Sequence, residues 1–301
     1  MKTRFILNPT SGRNRQTPTL AADIRRFITA HSLDAQLVLT EESGHATHLA
    51  REAAQQGCER IVAVGGDGTM HETARGVLHT PATLALVPRG SGNGLARHLG
   101  IPRNLDAALT LLVADARCIK TAAIDTGTVD GQPFFNVMGL GLDAEIGHRF
   151  NQLQHRGLAA YTLTALGAWR DRRRERVTIA TSHHRETLEV LFIAIANSDQ
   201  YGYNARIAPH AKVDDGTLDL IAVQSVGLIG AIELSARLFH GSFDRSGRVR
   251  QIRGSHFTIE RAAPGLIHID GEIHHAAATL EISILPLSLR LLLPAQSPAG
   301  S

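Results

Sequence analysis

At 301 residues the chain has room for about two domains, and 43% hydrophobic against 20% charged residues is the balance of a soluble globular protein. The formal charge of +3 rests almost wholly on arginine, since lysine occurs only at Lys2, Lys120 and Lys212, and a mildly basic chain suits an anionic partner such as a nucleotide phosphate or an acidic membrane face. Isolated Cys58 and Cys118 argue against a disulfide framework or a thiolate metal site, and no apolar run is long enough for a signal peptide or a membrane span, so a cytoplasmic protein is expected.

In chain order, strand-like runs at 5–7, 35–40, 61–64 and 84–87 alternate with helical patterns that include 20–28, 46–56 and a segment beginning at Thr69. That alternation predicts an α/β domain with a parallel sheet over residues 1–122. From Ile119 the pattern changes. Runs at 134–138, 188–196, 218–223, 257–259, 266–269 and 280–285 read as strands without regular intervening helices. They predict an antiparallel β-sandwich over 123–293, interrupted by helices at 158–174 and 228–239, with a flexible tail at 294–301.

The strongest chemical signal is the buried strand 61–64 running directly into Gly65-Gly66-Asp67-Gly68-Thr69. Glycines let backbone N–H groups approach a phosphate, and the helix start beyond adds a favourable dipole. Asp67 would repel bare phosphate, so it makes sense beside Mg2+ or as a proton acceptor, although a plain strand–turn–helix would use the same residues for geometry. Neither a Walker lysine nor GxGxxG spacing is present. A second loop, Pro88-Arg89-Gly90-Ser91-Gly92-Asn93-Gly94, and a third, Asn8-Pro9-Thr10-Ser11-Gly12-Arg13, follow two other strands. Loops after neighbouring parallel strands would face one crevice.

These residues resemble the diacylglycerol kinase catalytic-domain family, which includes bacterial soluble lipid kinases and sphingosine kinases. The resemblance rests on Asn8–Gly12, GGDGTMHE at 65–72, PRGSGN at 88–93 and IDGE at 269–272, in the family's order. It implies a nucleotide-binding α/β domain and a C-terminal β-sandwich with the active site between them, and a C-terminus that packs back on the first domain. ATP would be contacted by Asn8, Ser11, Gly12, Thr40, Gly65, Gly66, Asp67, Gly68, Thr69, Glu72, Ser91, Gly92 and Asn93. The catalytic base would be Glu272 or Asp270; on pattern alone Asp270-Gly271 is equally a two-residue hairpin turn. Lys212, Asp215 and Thr217 would hold a structural Mg2+, against the plainer reading of an acidic turn. The chain departs from bacterial diacylglycerol kinases at Gly94, where they commonly carry an Asp that helps to hold the catalytic metal.

The expected activity is ATP- and Mg2+-dependent phosphorylation of a lipid hydroxyl by a peripheral enzyme, with a homodimer left open. An NAD kinase-like enzyme and a non-catalytic nucleotide-binding module are the alternatives, and 4% aromatic residues with no stacking motif argue against nucleic acid. The histidines His268, His274 and His275 suggest a transition-metal site only weakly, having no ligand spacing rule. The arginine-rich run 170–176 reads either as a solvated helix end or as a docking patch for anionic lipid.

Overall fold

Thr3–Leu7 (β1) is buried along its whole length, as a strand covered on both faces must be. The computed structural model describes residues 1–151 and 174–295, the side chains of 147–151 excepted. In the first unit β1 pairs in parallel with Ala35–Leu39 (β2) on one side and Arg60–Gly65 (β3) on the other, and β3 pairs in parallel with Thr83–Pro88 (β4). Helices Leu20–Ala30 (α1), His45–Gln55 (α2) and Asp67–Val77 (α3) make the crossovers, and Gly94–His98 (α4) and Leu105–Val113 (α5) follow β4. Phe5, Ile24, Val62, Val87 and Leu109 form the core. The strand order 4-3-1-2 reverses direction between β1 and β3, so the ends of those two strands form the topological switch point of the sheet.

Ile119–Val129 (β5) carries the chain out of this unit, whose first segment ends at Ile124. The second unit spans Asp125–Pro286. Its strands are Gln132–Phe134 (β6), Val137–Gly141 (β7), Glu175–Ala180 (β8), Arg185–Ala196 (β9), Leu218–Gln224 (β10), Val249–Gly254 (β11), His256–Arg261 (β12), Gly265–Ile269 (β13), Glu272–Ala276 (β14) and the first part of Thr279–Pro294 (β15). Their registered pairings are all antiparallel. Alternating side chains from Met138, Ile193, Ile195, Leu220, Phe257, Ile259 and Ile282 fill the interior. Leu142–Asn151 (α6) and Leu228–His240 (α7) are its helices among the described residues, with Leu142 and Leu234 in a second apolar layer.

The parallel α/β domain and the antiparallel sandwich are thus the two architectures expected, with differences of detail. The strand read at 134–138 is two strands, because the N–H groups of Phe135, Asn136 and Val137 turn to the carboxylate of Asp270. The chain from Leu287 rejoins the first unit, as the resemblance implied of the C-terminus, so the sandwich does not run to 293: Leu291 pairs in parallel with Leu84, Leu292 enters the first core, and Pro294 is still strand rather than tail. Most of the helix and arginine run read at 158–176 lies outside the described residues; Glu175 and Arg176 begin β8.

Leu292 therefore tests the returning strand. Leu292→Ala should cost about 2–5 kcal/mol in urea unfolding, and a loss under about 1 kcal/mol would show that the strand adds little to the first core.

Candidate active site

The three glycine-bearing loops all lie at the C-terminal ends of β1, β3 and β4, two of them at the switch point. They are tied to each other at short range. Ser11 Oγ accepts the Gly66 N–H at 2.8 Å, and the Arg13 N–H donates to the Arg89 carbonyl at 3.0 Å. A Cβ on Gly90 would stand 2.7 Å from the Gly66 Cα, and one on Gly12 (φ +47°) would stand 2.5 Å from the Arg89 carbonyl oxygen. No L side chain fits at either place, which is why glycine recurs there.

Asp67 closes the second loop onto the first turn of α3. Its Oδ2 accepts the Asn93 N–H at 2.8 Å and its Oδ1 accepts the Gly94 N–H at 2.9 Å. Gly94, the position of the departure from bacterial diacylglycerol kinases, thus serves through its backbone. Asn93 sits at φ +50° and grips Gly90 twice, accepting its N–H at 3.0 Å and donating to its carbonyl at 2.7 Å. Beneath the loops the guanidinium of Arg89 donates to Asn14 Oδ1 and Thr17 Oγ1, each at 3.0 Å. Burial lowers the Arg89 pKa, and the nearby charge of Arg13 adds to that effect. Asn14 was not singled out in the sequence, where nothing local distinguishes it from a surface polar residue, and Arg89 was named only as part of the PRGSGN loop.

The other nominated positions divide by what they already hold. Asn8 Oδ1 accepts from both the N–H and the hydroxyl of Thr10. Thr40 is buried, with its N–H on the Leu7 carbonyl. Glu72 Oε2 accepts the Ala46 N–H at 3.1 Å, capping α2, whose own N-cap Gly44 has no side chain to do so. Ser91 is exposed. The Thr69 hydroxyl is buried without a hydrogen-bond partner among the described residues, one turn from N–H groups that no helix carbonyl accepts. A cavity of about 520 Å³ lies elsewhere, among Thr3, His31, Asp34 and Arg60 at the opposite ends of the strands.

In the second unit Asp270 (φ +49°) and Gly271 (φ +90°) form the two-residue turn joining β13 to β14, with Ile269 opposite Glu272. Both carboxylate oxygens of Asp270 are engaged: Oδ2 accepts the Phe135 N–H at 2.8 Å, and Oδ1 accepts those of Asn136 at 2.9 Å and Val137 at 3.0 Å. The side chain of Glu272 is half-buried and has no hydrogen-bond or ion-pair partner among the described residues. His268, on the opposite face of the hairpin from Glu272, is buried and shares Asp143 Oδ2 with the Tyr201 hydroxyl, at 2.9 and 2.6 Å. The strand register puts His274 on the opposite face from His268, and no cluster of three or more His, Cys, Asp or Glu suited to a metal occurs among the described residues.

Asp215 is likewise occupied. Its Oδ1 accepts the N–H and hydroxyl of Thr217, and its Oδ2 pairs with Arg253, which also reaches Asp219 at 3.2 Å. Burial opposes ionisation of Asp215, but the bonds from Thr217 and Arg253 prevail and lower its pKa. Asp215, the carboxylate expected to hold a structural Mg2+ with Lys212 and Thr217, is thus bonded to Thr217 and Arg253.

Asp219, buried beside this pair, is the reverse case: burial raises its pKa despite bonds from Gln251 and Arg253. A raised folded pKa means that ionised Asp219 costs stability above that pKa, and the cost vanishes as pH falls through it. Asp219→Asn should therefore resist urea better than wild type at neutral pH, with the gain shrinking on acidification. A variant less stable than wild type at neutral pH would show that the charge is needed by Arg253.

Comparison with known proteins agrees with these features. The diacylglycerol kinase catalytic domain matches residues 2–128, and the YegS C-terminal NAD kinase beta sandwich-like domain matches residues 136–293. A diacylglycerol kinase of Bacillus subtilis is 30% identical over 90% of this chain and 89% of its own length. A Pseudomonas fluorescens protein named as a probable lipid kinase, YegS-like, is 33% identical over 92% of this chain and 91% of its own. A solved structure from Bacillus anthracis str. Sterne, described as a candidate diacylglycerol kinase, has a TM-score of 0.76 at 25% identity, covering 97% of this chain and 96% of that one. Matched across both units, the chain is a kinase that belongs to the diacylglycerol kinase catalytic-domain family.

Proposed function

We propose that this kinase transfers the γ-phosphoryl group of ATP, with Mg2+, to a hydroxyl group of a lipid such as diacylglycerol, a sphingoid base or a phospholipid. The observation that carries the reading is the interlocked glycine cradle. Gly90 lies too close to the Gly66 Cα for any side chain, beside the start of α3, whose N-cap Gly66 has no side chain to cap it. A polyphosphate chain suits such a surface because its oxygens can accept from several fixed N–H groups at once. The unpartnered Thr69 hydroxyl fits the same role, as a donor to a phosphate oxygen.

Asp67, whose two oxygens accept the N–H groups of Asn93 and Gly94, is the carboxylate fixed at the mouth of the cradle. Mg2+ is commonly held by one or two carboxylates together with the phosphates, so Asp67 fits without a second acid from Gly94. When bound, the ion would neutralise charge on the phosphoryl group. The chain's own part in the chemistry falls to Glu272, the carboxylate with no partner. It accepts the proton of the acceptor hydroxyl as the new oxygen–phosphorus bond forms and the bond to the bridging oxygen of ADP breaks. Asp270 holds the hairpin that carries Glu272 and is a positioning residue. A peripheral enzyme working at the inner face of a membrane suits a lipid acceptor, and no helix among the described residues is long and apolar enough to cross a bilayer.

The direct test incubates the protein with γ-labelled ATP and a total lipid extract and identifies the labelled product. Label in NAD and in no lipid would replace the acceptor; no label in either would refute the kinase reading of the cradle.

Two substitutions separate the roles. Glu272→Gln should lower kcat at least ~10²-fold while leaving Mg·ATP binding and thermal stability near wild type. Asp67→Asn should lower kcat as far and also cost about 1–3 kcal/mol of stability, because a charged acceptor of two backbone N–H groups is lost. Full activity in Glu272→Gln would remove Glu272 as the base.

A further inference from the structure

The exposed apolar side chains of the described residues are concentrated on α7. Leu228 is 55% exposed, Ile229 84%, Ile232 63% and Phe239 48%, and Ala236 between them is also exposed. At 3.6 residues per turn these five positions fall within about 100° of one another, a single stripe along the helix. The opposite side, through Gly230 and Leu234, is buried on the sandwich. The helix is thus apolar on two faces, and only one is covered.

The charges around the stripe indicate what covers the other. The single acid of α7, Glu233, is already neutralised by Arg237 at 2.7 Å and Arg248 at 3.3 Å. The exposed residues of the stripe and its margin, including Ser235 and His240, carry no negative charge. Directly after the helix, Arg245 is exposed and has no ion-pair partner among the described residues. An apolar stripe free of negative charge, with an unpaired arginine in the turn that follows, is the pattern of a helix lying in the interface of an anionic bilayer, its apolar side chains among the acyl chains and the cation at head-group level.

We propose that the outer face of α7 is the surface by which this protein docks on anionic membranes, inserting Ile229, Ile232 and Phe239 to reach its acceptor. The proposal rests on the lipid-acceptor reading for its biological purpose, but its physical content is separately measurable. Docking through these few side chains is reversible, because the buried apolar area is far below that of a spanning helix.

The test is flotation of the full chain with vesicles of phosphatidylcholine and phosphatidylglycerol, comparing wild type with Ile229→Glu/Ile232→Glu. Both positions are exposed, so the variant should keep its circular dichroism and unfolding midpoint. The expected result is vesicle partition at least ~10-fold weaker in the variant, with phosphorylation of a dispersed short-chain lipid unchanged. Independently, Phe239→Trp should add fluorescence that brominated acyl chains quench. Unchanged partition in the double variant, or added indole fluorescence that brominated lipid leaves alone, overturns the proposal. So does a wild-type dimer that becomes monomeric in the variant with vesicle binding intact, since the stripe would then face a second copy. Failure to label any lipid while wild type still floats and the variant does not would instead count against the acceptor, leaving the docking surface in place.

Discussion

Asp67 gives one carboxylate oxygen to the N–H of Asn93 and the other to that of Gly94, 26 and 27 residues away; Asp270 gives its two oxygens to three consecutive N–H groups at 135–137, more than 130 residues away. Each is a carboxylate closed on backbone amides of a distant loop. Hydrogen bonds to a charged acceptor contribute about 1.5–3 kcal/mol apiece, more than neutral ones, and they fix a loop by its main chain whatever its side chains are. In the first unit this closure sets the width of the glycine cradle. In the second it ends β6, starts β7 and fixes the turn that presents Glu272. The shape of both candidate catalytic regions depends on those two side chains.

Much of the architecture was legible because it follows from local pattern. The run Ile61-Val62-Ala63-Val64 is apolar at every position, as a strand covered on both faces requires, and Gly57 (φ +76°) ends the preceding helix where the sequence places a stop. The long-range pairings were not legible. No neighbour of Leu291 announces that it will lie beside Leu84, since a parallel pairing across some 200 residues leaves no local trace. The short strands at 249–254 and 272–276 were missed for a related reason: their outward faces are polar and their apolar alternation is brief.

The site residues followed the same division. Motif and resemblance named the loops, but not the bonds each side chain there makes. Glu72, named as a nucleotide contact, caps α2; Asp270, named as an alternative base, braces a hairpin; Asp215, named as a metal ligand, is paired with Arg253. These roles depend on partners 26 to 135 residues away, which a sequence window does not contain. A turn carboxylate also reads from sequence as solvated and expendable, whereas Asp67 bridges two loops. The Asp143–His268–Tyr201 group was invisible for the same reason, its members coming from α6, β13 and a connecting loop.

The return of the chain from Leu287 to the first sheet bears on how the protein is made. A ribosome releases residues 1–124 long before residues 287–294, with the whole second unit synthesised in between. The first unit therefore emerges first and is completed last: until the final strand arrives, β4 has no partner beyond β3 and the core lacks Leu292. An edge left open through most of translation is a template for pairing with other nascent chains. Truncated products of this gene would expose that edge permanently, so premature termination near the end of the message should yield insoluble protein rather than a shortened enzyme.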